Sequence, residues 1–262
     1  MAKNKVTRTD LRRLAQGRVF TTAELAEALR RSPSGAAKVA FDLKQRGFLT
    51  PVRRGVYASV PLEADPMTFR PDPFLSALRV MGGTYAFSHQ SALVLHGAEP
   101  TVRKTLHVSA PGVRSRRRVA RGLTIHVHSA PAASWKNATT TVRRGRDDLR
   151  VTSPERTLVD LASLPNSVQD YEEDLLAFRS LLPRVSQSRL LREVLAAPRA
   201  STRARVGHLL QASRAETPVP SRVLQAIQDS VAGAGPSYFA TRPGVLLNRF
   251  DSRFQLVYPG AG

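Results

Sequence analysis

Between Thr21 and Ser59 the chain leaves little freedom in its local structure. Thr21 and Glu24 stand at the spacing of a capping box, in which each side chain satisfies a backbone N–H at a helix start. Leu25, Ala28 and Leu29 follow as an apolar stripe at helical spacing. Ser32-Pro33 is a second start signal, a cap residue followed by one preset for the first turn. The helix it opens runs from Ser34 to about Arg46. Turning Ala36, Val39, Ala40 and Leu43 inward puts Ser34, Lys38, Phe41 and Gln45 on the opposite face. Gly47 ends this helix, and Phe48–Val52 and Val56–Ser59 read as two strands joined at Arg53-Arg54-Gly55. A short earlier helix, capped by Thr9 or Asp10 and carrying Leu11, Leu14 and Ala15, completes the order helix, helix, helix, hairpin.

That order is the pattern of a winged helix-turn-helix. Small residues at Gly35, Ala36 and Ala37 keep the start of the third helix thin, which suits a DNA major groove about 12 Å wide. The hairpin tip carries two guanidinium groups that can reach phosphates or a minor groove. A docking module for protein or RNA is the other use of such a unit. Phe41 fits the groove-facing reading least, because an aromatic there is more often a core residue of a rotated helix.

The charge distribution supports a polyanionic partner. The net charge is +20, with 13 basic and 4 acidic residues in 1–60 and 12 basic and 2 acidic in 101–150. Two electropositive surfaces are therefore expected. Arg114, Arg116, Arg117, Arg118 and Arg121 are expected on one exposed loop before a strand near Leu123. Arg143, Arg144, Arg146 and Arg150 crowd the next connection, and the two clusters are expected to join into one patch that follows a DNA backbone. An acidic protein, an RNA or plain solubility are the competing uses of that patch.

The proline-rich stretch 63–73 reads as a linker between a winged helix-turn-helix domain at 1–62 and a larger mixed α/β domain at 74–262. The fold class is thus α+β. In the second part, helices are expected at Phe74–Met81 and His89–His96, and strands at Thr105–Ala110, Leu123–Ser129, Thr139–Arg143 and Leu149–Thr152. Ser153-Pro154-Glu155 starts another helix. Residues from Asp170 to about Ile227 read as mostly helical, and two short strands end in Phe254–Tyr258.

Three segments in order, RGFLTPVRRGVY, YAFSHQSALVLHGA and VTSPERTLVDLA, resemble the AbiEi antitoxin family of type IV toxin–antitoxin systems over roughly residues 10–165. The resemblance implies an N-terminal winged helix-turn-helix, repression of the protein's own operon and neutralisation of a nucleotidyltransferase toxin. Carried onto this chain, it places DNA contacts at Ser34, Gly35, Ala37, Lys38, Arg53 and Arg54; the helix face adds Gln45, and the basic block adds Arg114, Arg116, Arg117 and Arg118. It assigns no residue of the second domain.

Catalytic chemistry finds little support. The chain has no cysteine, which excludes thiolate nucleophiles and Cys-based zinc sites. None of the nine Glu residues is followed by Lys two positions later, as metal-dependent nucleases often require. Asp147-Asp148 reads as a charged turn. His126 and His128 share one strand face and could join His107 on a metal, but such pairs are more often packed or solvated. Ser88 beside His89, and Ser153 with Asp160, sit where helix caps are needed. Hence no enzyme activity, cofactor or metal is expected. The expected partners are operator DNA with inverted repeats and a nucleotidyltransferase toxin; no membrane partner is expected, and the expected location is the cytoplasm and nucleoid. A nuclease-like nucleic-acid-processing enzyme and a ligand-sensing regulator remain the alternatives.

Overall fold

The computed structural model describes residues 17–99, 104–114, 116–120, 122–130, 135, 137–163, 171–239 and 248–259. The expected helix around Leu11 and Leu14, and Arg121, lie outside them. The chain divides into two compact units, Met1–Thr84 with Lys104–Leu106 and Arg116–His126, and Tyr85–Arg103 with His107–Ser115 and Val127–Gly262.

The first unit contains β1 (Val19–Thr21), α1 (Thr22–Leu29), α2 (Pro33–Gln45), β2 (Leu49–Arg53), β3 (Val56–Ser59) and α3 (Pro73–Val80). Both expected caps form. Glu24 N–H donates to Thr21 Oγ1 at 3.1 Å while Thr21 N–H donates to Glu24 Oε2 at 2.7 Å. Gly35 N–H donates to Ser32 Oγ at 3.2 Å. Gly47 takes φ +77°, the left-handed turn that ends a helix without penalty to glycine.

The three strands pair antiparallel in the order β1-β3-β2. Side chains alternate across that sheet, so each face has its own core. Phe20 and Leu49 join Leu25, Leu29, Val39, Ala40 and Leu43 of α1 and α2. Val19, Val52, Val56 and Ala58 pack instead with Val80 of α3, with Phe69 and Leu75 at the margin. The expected linker at 63–73 is thus folded onto the first unit: Phe69 packs there, and the Pro66 ring sits where a Cβ on Gly47 would meet it at 3.1 Å. An ion pair at 3.0 Å between Arg79 of α3 and Glu24 of α1 fastens the helix that follows.

A six-stranded sheet runs in the order β6-β7-β5-β4-β9-β8, built from β4 (Ala86–Phe87), β5 (Thr105–Pro111), β6 (Arg116–Ala120), β7 (Leu123–Ala130), β8 (Thr139–Arg144) and β9 (Asp147–Thr152). The helices of the second unit are α4 (His89–Leu95), α5 (Pro154–Ser163), α6 (Tyr171–Leu181), α7 (Gln187–Leu195), α8 (Ala200–Ala212) and α9 (Ser221–Val231). A three-stranded sheet follows, with β12 (Leu256–Pro259) between β10 (Ser237–Tyr238) and β11 (Asn248–Asp251). One apolar core runs from Leu93 through Leu158, Phe178, Leu190, Leu209 and Ile227 to Phe254 and Leu256.

Gly207 explains how α8 accepts its neighbours. A Cβ there would lie 2.4 Å from Phe254 Cε1 and 2.9 Å from an Ile227 methyl, so only glycine admits the fully buried Phe254 ring. One residue along α8, His208 lies 2.6 Å from Asp251 Oδ2 through Nδ1 and 3.0 Å from the Tyr171 hydroxyl through Nε2. Burial, with the Tyr258 and Glu172 charges next, pushes the Tyr171 hydroxyl up to about 12, so it stays a proton donor. Arg205 donates to the carbonyls of Ala162 and Tyr238. No helix among the described residues is long and apolar enough to cross a membrane.

Candidate functional site

The residues expected to touch DNA fall into three groups. On α2, Ala36, Val39, Ala40 and Leu43 are fully buried, while Ser34, Ala37, Lys38, Phe41 and Gln45 are exposed and Gly35 is half-buried. Phe41 is 56% exposed, so the helix is not rotated to hide it. Its face toward solvent carries small, polar and basic side chains with one aromatic, Phe41, and one acidic residue, Asp42, among them.

The hairpin departs from expectation at one residue. Arg53 is the last residue of β2, and its guanidinium donates to the Val80 carbonyl at 3.1 Å. An irregular register between Pro51 and Arg53 turns it toward the C-terminus of α3. The tip is therefore Arg54-Gly55, with Arg54 exposed and Gly55 at φ +77°. Thr22 holds that tip in place: its N–H and its hydroxyl both donate to the Gly55 carbonyl, at 2.9 and 3.2 Å.

The basic block also differs from the loop expected of it. Arg114 is exposed ahead of the strand, but Arg116, Arg117 and Arg118 fall within β6, an edge strand hydrogen-bonded to β7. The second cluster sits on the β8–β9 hairpin, where Arg143 pairs with Asp148 across the strands at 3.4 Å. β6 and β8 are the first and last strands in the order of the sheet.

Two of the sequence segments singled out above meet inside the second unit. Phe87 of β4 pairs parallel with Val151 of β9, and His96, just past α4, makes a 2.8 Å hydrogen bond from Nε2 to the Thr152 carbonyl. Ser153 caps α5 as expected, accepting from Arg156 N–H at 3.2 Å. Ser88 does not cap α4: its side chain makes no capping bond. Instead it receives a hydrogen bond from Ser109 at 2.9 Å and contacts His89 Nδ1 at 2.8 Å. His89 itself takes φ +53°, a conformation that costs a non-glycine residue roughly 1–2 kcal/mol.

This strained turn brings three histidines together. His89, His107 of β5 and His128 of β7 each offer a ring nitrogen within 4.8 Å of the others, and His107 Nδ1 lies 2.9 Å from His128 Nε2. His126, expected to be the partner of His128, is not in the group. Burial, then the charges of His128, His107 and Arg156, holds the His89 imidazole well below its ordinary 6.5. His89 and His128 line a pocket of 410 Å³ together with Ser109, Arg156, Asp160 and Arg199. Arg156 donates from Nε to Asp160 Oδ1 at 2.7 Å and approaches Glu193 at 3.6 Å. Burial pushes the Asp160 carboxyl up, against the opposing pull of Arg156.

Residues 85–212, which hold both joined segments and the pocket, match the family described as the AbiEi antitoxin C-terminal domain. This segment belongs to the AbiEi antitoxin family. The match supports an antitoxin role within a toxin–antitoxin system for the chain that carries it. The AbiEi domain so matched contains α4 through α8 and every member of the histidine group. No curated protein matches the chain. Among solved structures, the RV2827C protein from Mycobacterium tuberculosis is similar with a TM-score of 0.65 and 22% identity, over 92% of this chain and 86% of that one. At that identity the likeness concerns the fold alone.

Sequence reasoning missed His89 as a member of the group because serine before a helix reads first as a cap. The signal that could have found it is the sheet: Ala86 and Phe87 pair with Ser109 and Val108, which sets Ser88 and His89 beside His107.

Proposed function

We propose that the chain is a sequence-specific double-stranded DNA-binding repressor that autoregulates its operon, and that its AbiEi domain counters a nucleotidyltransferase toxin encoded beside it. The observation that carries the DNA reading is the exposed face of α2 presented next to a hairpin whose tip is tied to α1. Two helices followed by a hairpin, with β1 closing the sheet, are the parts of a winged helix-turn-helix. The reading makes α2 the recognition helix, with Ser34, Gly35, Ala37, Lys38 and Gln45 at base edges. Arg54 reaches the backbone, and Arg53 keeps the hairpin seated while its remaining donors contribute. Arg114, Arg116, Arg117 and Arg118 add contacts to phosphate only. A dimer on an inverted repeat matches the expected operator form. The protein acts by occupancy and carries no catalytic step.

The test is binding of full-length protein to the DNA upstream of its own gene, against random duplex of the same length. Lys38→Ala is expected to weaken operator binding by about 10–100-fold, roughly 1–3 kcal/mol, and to relax preference at one base position. Equal losses on operator and random DNA would show that Lys38 touches phosphate alone. For the toxin arm, co-expression is expected to restore growth to cells making the neighbouring nucleotidyltransferase. Arg54→Glu is expected to abolish repression while leaving that rescue intact.

A further inference from the structure

We propose that His89, His107 and His128 form a three-histidine site for a divalent transition-metal ion of the zinc class, with a fourth coordination position open to the pocket. This proposal does not depend on the DNA reading.

The donor set is the first reason. Imidazole nitrogens suit zinc and its neighbours, and three protein ligands with one open position is a recurrent arrangement for a reactive zinc site. Bound to zinc at about 2.0–2.1 Å in tetrahedral geometry, ligand nitrogens stand roughly 3.3 Å apart. The three nitrogens already lie within 4.8 Å of one another, one pair at 2.9 Å. Shifts of an ångström or so at side-chain tips would close the set around an ion.

Orientation is the second. His89 Nδ1 is turned to Ser88 Oγ, and Ser88 is itself held by Ser109. That leaves Nε2 of His89 as its ligating nitrogen. A metal-bound histidine almost always fixes its other ring nitrogen by a hydrogen bond of this kind. The three ligands come from the start of α4 and from two strands of one sheet, and His89 takes an unfavourable φ where it meets the other two.

The third is an unmet acceptor. Asp160 is 2% exposed and lines the pocket with His89 and His128, yet its Oδ2 has no hydrogen-bond partner among the described residues. A buried carboxylate oxygen left bare is costly. Water carried by a cation is a donor of the kind it lacks. Arg156 does not cancel the attraction, since Asp160 and Glu193 both face it.

The experiment uses the full chain, freed of metal by chelation and dialysis, with Zn²⁺ added in competition with a chromophoric chelator and Co²⁺ as a spectroscopic probe. The expected result is one ion per chain, and for Co²⁺ the intense visible bands of a four-coordinate site. Zn²⁺ is also expected to raise the melting temperature, reversibly with chelator. His107→Ala and His128→Ala, checked for folding by far-UV circular dichroism, are expected to weaken binding more than about 100-fold. Ser88→Ala should weaken it about 10-fold through loss of the His89 anchor. His126→Ala should leave it unchanged. No stoichiometric binding by the wild-type chain would overturn the proposal, whatever the variants do. So would six-coordinate Co²⁺ spectra, or full affinity in folded His107→Ala and His128→Ala.

Discussion

Replacing a helical glycine by alanine normally stabilises a protein by about 1 kcal/mol, because the helix loses less backbone entropy on folding. Gly207→Ala is expected to do the reverse. The new methyl would stand 2.4 and 2.5 Å from two ring carbons of Phe254 and 2.9 Å from Ile227, where carbon atoms prefer about 3.5–4.0 Å. The ring would have to withdraw by more than 1 Å, and it is fully buried. Overpacking of this kind costs about 1–3 kcal/mol, and displacing the ring from its socket costs more. After subtracting the helical gain, a net loss of about 2 kcal/mol is expected. Urea denaturation followed by the fluorescence of Trp135, the sequence's one tryptophan, reads this directly, since Trp135 belongs to the same unit. Phe254→Leu should cost stability in the wild-type background but much less beside Gly207→Ala, giving a favourable coupling of about 1 kcal/mol or more. A Gly207→Ala protein as stable as wild type, or strictly additive double-mutant energies, would refute this account of the packing.

Three further outcomes are expected. Arg79→Ala should lower stability by about 1 kcal/mol, and Glu24→Ala by more, because Glu24 also holds the Thr21 cap; equal effects in thermal melts would mean that the cap contributes nothing. Burial alone would raise the Asp251 carboxyl, but the His208 hydrogen bond and charge and the Phe254 and Arg253 N–H groups outweigh it and lower it. Its stabilisation is therefore complete above the ordinary carboxylate value near 3.8 and lost as pH falls through the lowered one. Asp251→Asn should be less stable than wild type at pH 7, with the gap closing below about pH 4; a gap independent of pH would remove the charge from the explanation. Replacing Arg116, Arg117 and Arg118 together by Ala should flatten the dependence of log K on log salt by roughly 1–3 units if these residues neutralise phosphates, and an unchanged slope would take them out of the DNA footprint.

Helix starts were the most legible part of the sequence, since Thr21, Glu24, Ser32 and Ser153 form their caps from neighbours a few residues away. The buried stripe of α2 follows from periodicity for the same reason. What stayed hidden depends on distant partners. Val19–Thr21 is too short to show alternation, and becomes a strand because Phe20 pairs with Tyr57. Arg116–Ala120 has no apolar alternation and reads as a loop, yet the neighbouring β7 makes it a strand. The bond from Arg53 to the Val80 carbonyl is not legible either, because the sequence does not announce an irregular register. The sequence brings His128 and His107 together as possible ligands but not His89, which joins them only through the order of the sheet strands.

The apolar core of the second unit sets a different boundary from the one that homology draws. The family match ends at residue 212, at the last residue of α8, but Val223, Leu224, Ile227, Phe254 and Leu256 belong to the same core as Leu209 and Leu210. The segment that defines the kinship is thus smaller than the segment that folds. An excised 85–212 fragment would expose the socket at Gly207 and the apolar side of α8, and would tend to aggregate. Residues 213–239 and 248–259 are consequently part of the same folded unit in the physical sense, and their core positions can drift only as far as that shared interior allows.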